Sequence, residues 1–200
     1  VTLLAGVLAA YLLGAIPVGY LVARGFGVVD IRSHGSGNVG AANVLRTAGR
    51  WPGLLTLGGD IAKGYLAVLV GATLGGGGAT ASAVAAVAAI VGNCWSVYLR
   101  FRGGKGVATG LGAFLGVAPW ATAPAALVWL GTAITFRYVS LASLMAALCV
   151  PIGALLLGYP RDAVVACAVA AVIIGYRHRD NIGRLLAGTE RRLGQRQQSA

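Results

Sequence analysis

Three segments of this 200-residue chain gather residue types that suit a phosphate group. The first runs from Asp30 to Arg50 and holds Ser36, Gly37, Asn38, Asn43 and Arg46. Closely spaced glycines let backbone N–H groups approach an anion, while Ser36, Asn38 and Asn43 offer neutral hydrogen bonds. Arg46 adds a planar fork of donors matched to phosphate oxygens. The second segment places Gly103, Gly104, Lys105 and Gly106 directly before an apolar stretch, the arrangement of a phosphate cradle at a helix N-terminus. It is not a GxxxxGK[ST] loop, because Gly106 follows Lys105. The third runs from His178 to Glu190. His178, Asn181 and Arg184 are spaced i, i+3, i+6, so a continuing helix sets them near one face.

Each segment alone has a plainer reading: a flexible Gly/Ser/Asn loop, a basic membrane anchor, a juxtamembrane tail on anionic headgroups. Together they converge on phosphate ligands. The chain has no obvious carboxylate pair, metal-ligand cluster or nucleophile–base triad, so no metal or cofactor is expected. Cys94, Cys149 and Cys167 lack metal or redox spacing and read as small buried side chains.

The elements that must carry these segments belong to a membrane. Hydrophobic residues make up 58% of the chain and charged residues only 10%, against about 25% charged in soluble domains. No charge occurs from Val1 to Ala23, Gly64 to Leu99, Gly106 to Phe136 or Tyr138 to Pro160. A spanning helix needs about 20 largely apolar residues, so each gap holds most or all of one. The first segment lacks a basic n-region and leads into a polar loop, so it reads as a retained helix.

The expected class is an all-α integral membrane protein forming a single domain over 1–200. The glycine run Gly75 to Gly78 divides the second gap. The helix before it must reach back to about Gly53 and take in Asp60 and Lys63, which lie at i, i+3 on one face and can pair with each other or with something bound. Pro119 and Pro124 interrupt the third gap. If that region crosses twice, or dips in and returns, nearly all positive charges fall on one side, as the positive-inside rule demands. This predicts seven segments, 3–23, 53–74, 79–99, 107–118, 120–136, 139–158 and 161–177, with the N-terminus outside and the C-terminus cytoplasmic. The tail after Gly188 is expected to be a short helix.

The segments resemble the bacterial acyl-phosphate:glycerol-3-phosphate acyltransferase family, the PlsY type. The resemblance rests on Gly14-Ala-Ile-Pro17, Gly35-Ser-Gly-Asn-Val-Gly-Ala-Ala-Asn43 through Arg46, Asp60 with Lys63-Gly64, Gly103-Gly-Lys-Gly-Val-Ala-Thr109, Ser140-Leu-Ala-Ser143, and His178-Arg-Asp-Asn-Ile-Gly-Arg184 with Gly188 and Glu190. Order and spacing agree over nearly the whole chain. The resemblance implies seven transmembrane helices in a bacterial cell membrane, a site facing the cytoplasm, and no acyl-CoA or acyl-carrier-protein requirement. It also implies acylation of the sn-1 hydroxyl of glycerol 3-phosphate by acyl phosphate, giving lysophosphatidic acid and phosphate. Two positions depart from the family pattern. Ala42 stands in Gly40-Ala-Ala-Asn43 where a threonine is usual, and Asn93 stands in Gly92-Asn-Cys-Trp-Ser96 where a histidine is usual. Asn93 cannot act as an acid or base, and a structural role that keeps a hydrogen bond is expected.

Acyl phosphate is a mixed anhydride with a good leaving group, so the enzyme must chiefly align the hydroxyl and stabilise developing charge. Lys105, Arg46 and the glycines 103, 104 and 106 are candidates for the donor phosphate. Ser36, Gly37, Asn38, Asn43, Ser140, Ser143, His178, Asn181 and Arg184 are candidates for holding substrate. The proton acceptor is either His178, whose ordinary titration lies near neutral pH, or an oxygen of the donor phosphate, which the resemblance favours. A covalent intermediate on Cys94 or Ser36 lacks a neighbouring base. A His-x4-Asp acyltransferase motif is missing, since Val39 and Gly183 occupy the required positions. The alternative class is a membrane carrier for a phosphorylated solute. Membrane lipid is an expected partner and nucleic acid is not.

Overall fold

The structure, a computed structural model, describes residues 1–194 and contains no strand among them. The described residues form ten α-helices: α1 (Thr2–Ala15), α2 (Val18–Gly25), α3 (Ala41–Ala48), α4 (Arg50–Leu74), α5 (Gly78–Cys94), α6 (Val107–Val117), α7 (Pro119–Phe136), α8 (Val139–Leu156), α9 (Arg161–Arg177) and α10 (Arg179–Leu186). Four helical stretches are long and apolar enough to cross a bilayer: Thr2–Gly25, Arg50–Leu74, Gly78–Leu99 and Val139–Leu156. The 11-residue α6 rises only about 16 Å.

The expected segment 3–23 is broken. Pro17 has no N–H and clashes with a continuing turn, so α1 stops at Ala15 and α2 restarts at Val18. A break inside an apolar layer frees carbonyls that need new partners. Ser96 Oγ donates to Ala15 O at 2.6 Å and Lys63 Nζ donates to Ile16 O at 2.7 Å. Lys63 also pairs with Asp60 at 2.7 Å, one of the two arrangements that the i, i+3 spacing allows. The two charges are thereby tied to the helix break.

Two further differences concern boundaries. The second segment begins at Arg50, with Pro52 inside its first turn, where the missing N–H costs nothing. After Gly188 there is no helix through Gly194; residues 195–200 lie outside the described part of the chain. Residues 189–194 instead run back to the α7–α8 turn, where Leu193 N–H donates to Arg137 O at 2.6 Å and Arg137 Nη2 donates to Leu193 O at 2.9 Å. The short helix sits one segment earlier, as α10.

Small residues let the helices approach closely. A Cβ on Gly64 of α4 would fall 2.1 Å from Thr109 O, and one on Gly112 of α6 would fall 1.9 Å from Ile61 O, so these glycines set the α4–α6 crossing. Alanines dominate the interior, and large apolar side chains such as Leu127, Ile134, Leu156 and Val172 face outward, the inverse of a soluble core.

The bundle has two distinct ends. At one end, Trp120 N–H donates to Tyr159 OH at 3.2 Å, and Thr80 is hydrogen-bonded to Asp162. The α4–α5, α6–α7 and α8–α9 turns therefore share that end. The opposite end carries the 24–50 segment, the 95–106 loop, the α7–α8 turn and α10. Among the described residues, every Arg and Lys except Lys63 and Arg161 belongs to this second end.

Candidate active site

A cavity of about 450 Å³ opens at the basic end and continues between the helices. Its polar part is built by the three segments singled out above, together with the start of α8.

The first segment is folded around Asn43, which is 1% exposed. Its Oδ1 accepts from Ser36 N at 2.9 Å, and its Nδ2 donates to His34 O at 3.0 Å and Asn38 O at 2.8 Å. The amide thus shapes the loop, although Asn43 also lines the cavity. Asp30 closes the start of the loop by accepting from Arg32 N at 2.9 Å and pairing with the Arg32 guanidinium at 2.7 Å. Hydrogen bonds from Arg32 hold the Asp30 carboxyl down at about 2. Ser36, Asn38 and Arg46 line the cavity; Gly37 does not. Arg46 stands on α3 rather than in a loop, and its Nε donates to Ala42 O at 2.8 Å. Ala42 itself lines the cavity.

The glycine loop has a more specific geometry than its sequence suggested. Gly104 N–H donates to Asn93 O at 2.8 Å and Gly103 N–H to Cys94 O at 3.3 Å, so both donors are turned inward. From the other side Arg177 Nε donates to Gly104 O at 3.0 Å and Nη2 to Gly103 O at 3.2 Å, while the guanidinium lies over the Trp95 ring. Gly103 and Gly104 therefore anchor the loop, and Gly103 does not reach the cavity. The donors available for an anion come one step later. Gly106 adopts φ +80°, which glycine tolerates, and turns the chain into α6. The first N–H groups of a helix have no partner within it, and Lys105, Gly106, Val107 and Ala108 all line the cavity there.

Across the cavity, His178 at the α9–α10 junction and Asn181 and Arg184 of α10 all line the wall, together as their i, i+3, i+6 spacing suggests, although the helix is interrupted at His178. Asn181 is a bridge. Its Oδ1 accepts from Lys105 Nζ, and its Nδ2 donates to Glu190 at 2.6 Å. Glu190 also accepts from Ser140 Oγ at 2.8 Å and Arg184 Nε at 2.7 Å. Burial pushes this carboxyl up, but the hydrogen bonds from Asn181, Ser140 and Arg184 outweigh it and hold the group below its usual 4.5. Ser143 donates to Val139 O at 2.7 Å and accepts from Trp129 Nε1 at 3.2 Å, fixing an indole on the cavity wall. Glu190, Arg177 and Trp129 were not singled out as site residues from the sequence. Glu190 stood in the matching motif, but its partners come from α8 and α10; Arg177 read as an ordinary basic helix end.

Burial pushes the Lys105 ammonium down to about 8; Glu190 opposes the shift, and Arg184 and Arg177 add to it. Burial likewise pushes His178 down to about 4, against the hydrogen bond to Ile174 O and with help from Lys105. That bond, 2.8 Å from Nδ1, makes Nδ1 the protonated nitrogen and leaves Nε2 as an acceptor. At neutral pH the ring is uncharged. Among the described residues no group of His, Cys, Asp or Glu is placed to hold a metal ion.

Such an arrangement can hold phosphate oxygens at its polar end and an apolar chain below. The family model for glycerol-3-phosphate acyltransferases matches residues 4–188. The chain belongs to the glycerol-3-phosphate acyltransferase family. It is similar to the glycerol-3-phosphate acyltransferase 2 of Moorella thermoacetica, with 50% identity over 94% of this chain and 95% of the relative. The glycerol-3-phosphate acyltransferase of Rubrobacter xylanophilus is 46% identical over 95% and 94% of the two chains. Two crystal structures of PlsY, an integral membrane glycerol 3-phosphate acyltransferase, share the fold. The glycerol 3-phosphate form aligns with a TM-score of 0.90 and the lysophosphatidic acid form with 0.88, at 40% and 39% identity. Each covers 97% of this chain and 96% of PlsY. The chain is accordingly an acyltransferase and an integral membrane protein.

Proposed function

We propose that this enzyme transfers an acyl group from acyl phosphate to the sn-1 hydroxyl of glycerol 3-phosphate, the first acylation of phospholipid synthesis. The observation that carries the reading is the continuity of one cavity, with phosphate ligands at its basic end and an apolar shaft below. That shape suits a substrate with an anionic head and a lipid tail.

Lys105, Arg46 and the N–H groups at the start of α6 bind the donor phosphate. The helix dipole and the ammonium both favour the charge that builds on it as it leaves. Ser36, Asn38, His178, Asn181 and Arg184 hold glycerol 3-phosphate, with Glu190 fixing Asn181 and Arg184 in place. Asn43, Gly37, Gly103 and Gly104 shape the two loops, Gly106 starts α6, and Ser140 and Ser143 position Glu190 and Trp129. The sn-1 oxygen attacks the acyl carbonyl carbon, the bond from that carbon to the phosphate oxygen breaks, and phosphate departs. The hydroxyl proton passes to an oxygen of the departing phosphate. His178, kept neutral by burial, serves as a hydrogen-bond acceptor at Nε2 rather than as the group that carries the proton away.

The chain crosses a bacterial cell membrane seven times, with the N-terminus outside and the site on the cytoplasmic side. Turns grouped at two opposite ends, and positive charge concentrated at one of them, support this orientation. The carrier reading loses ground, because the Lys63 ammonium is fully engaged by Ile16 O, Asn93 and Asp60.

The test is product analysis with purified protein, glycerol 3-phosphate and palmitoyl phosphate. One phosphate released per 1-acyl product is expected. A 2-acyl product would contradict the regiochemistry, and uptake into vesicles with no acylated product would favour the carrier.

A further inference from the structure

The apolar part of the cavity has a defined bottom. On α6 the deepest lining residue is Phe114 and on α8 it is Val150. On α7 and α9, which run the opposite way, the deepest are Thr122 and Cys167. Beyond them the same helices close up through small residues. Ala118, Ala121, Ala154 and Ala166 are buried and pack with Phe114 and Cys167 in one core cluster. Phe114 is 4% exposed and Cys167 1%, so neither faces the surrounding lipid.

The depth follows from helix rise. Ten residues of α8 separate Ser140 from Val150, about 15 Å. His178 lies eleven residues above Cys167, about 16 Å. A C–C bond of about 1.5 Å at a near-tetrahedral angle advances an extended chain about 1.25 Å per carbon, so roughly twelve carbons reach the floor. Longer chains must bend within the shaft or leave it.

We infer that Phe114 and Cys167 form a floor beneath the acyl-chain shaft that sets which chain lengths the enzyme transfers. The inference rests on the proposed acyl-phosphate reaction, because the donor's chain is the occupant assigned to the shaft. Phe114 is the residue that matters most, because its ring is the only large group among those at the bottom. Ala171 lines the same shaft four residues above Cys167, about 6 Å nearer the polar end. A larger side chain there raises the floor by about one turn.

The experiment compares kcat/KM for acyl phosphates of 10 to 18 carbons with purified enzyme in lipid. Phe114→Ala is expected to raise the ratio of the 18-carbon to the 14-carbon donor at least fivefold. Ala171→Leu is expected to lower it at least fivefold while leaving the 10-carbon donor active. Phe114→Leu replaces the alanine variant if that protein does not fold. Binding of non-transferable alkyl phosphonates of the same lengths, read as thermal stabilisation, follows the shaft without requiring turnover. Length profiles that stay within twofold of wild type in folded variants, in both assays, overturn the floor. Shifted phosphonate profiles with no transfer from any acyl phosphate would sustain the floor and count against the proposed reaction instead.

Discussion

Asn93 accepts a hydrogen bond of 2.9 Å from the Lys63 ammonium, deep between α4 and α5. The same nitrogen bonds Ile16 O and pairs with Asp60, so its three donors each have a partner. The backbone oxygen of Asn93 in turn holds Gly104 of the glycine loop. Asn93 is therefore a joint between the helix break and the site.

Asn93→Ala should lower stability by about 1–3 kcal/mol, because a buried donor loses its acceptor. Asn93→His should recover most of that loss. The check is thermal unfolding in lipid beside turnover. Wild-type stability with lost turnover would place Asn93 in the chemistry.

Glu190 gathers Ser140, Asn181 and Arg184, so its removal should cost more than the loss of any one partner. Glu190→Ala should lower kcat/KM at least tenfold, and Ser140→Ala by less. Its folded pKa lies below the ordinary 4.5. The stability it contributes is thus present above that value and lost as pH falls through the lower, folded one. Acid unfolding of Glu190→Gln should lack this component; an unchanged acid limb would count against the role.

Lys105 is charged below about pH 8 and neutral above it. The kcat/KM for acyl phosphate should be level below that pH and fall as pH rises through it. Bound phosphate favours the ammonium, so kcat should fall only at higher pH. Lys105→Ala should cost about 100-fold or more in turnover, the scale of one lost charge-stabilising donor. In Lys105→Arg the fall near pH 8 should vanish, because arginine stays charged. A fall that persists in this variant belongs to another group.

His178 should stay neutral across the working range, since burial holds it near 4. The pH–rate profile should show no inflection near 6.5, and His178→Asn should raise KM for glycerol 3-phosphate more than it lowers kcat. An inflection near 6.5 that disappears in His178→Asn would make the histidine the base. Stability should fall as pH drops from about 6.5 towards 4, because the unfolded imidazole takes up a proton that the buried ring does not.

The glycine spacing, Lys105 and the His178-Asn181-Arg184 face could all be found in the sequence because they depend on local periodicity. The break at Pro17 was equally local, yet the charge-free run from Val1 to Ala23 concealed it; only the partners of Ala15 O and Ile16 O show how the break is satisfied. The inward turn of the Gly103 and Gly104 donors could not be seen, because Asn93, Cys94 and Arg177 set it from α5 and α9. Glu190 was visible as a letter in a motif. Its role depends on α8 meeting α10, and no spacing in the chain encodes that meeting.

A single comparison tests whether acyl phosphate is the donor. Purified protein in lipid receives glycerol 3-phosphate with either palmitoyl phosphate or palmitoyl-CoA, and lysophosphatidic acid and phosphate are followed. Product from the acyl phosphate alone, abolished in Lys105→Ala, is the expected result. Product from the CoA donor, or from neither, would contradict the account.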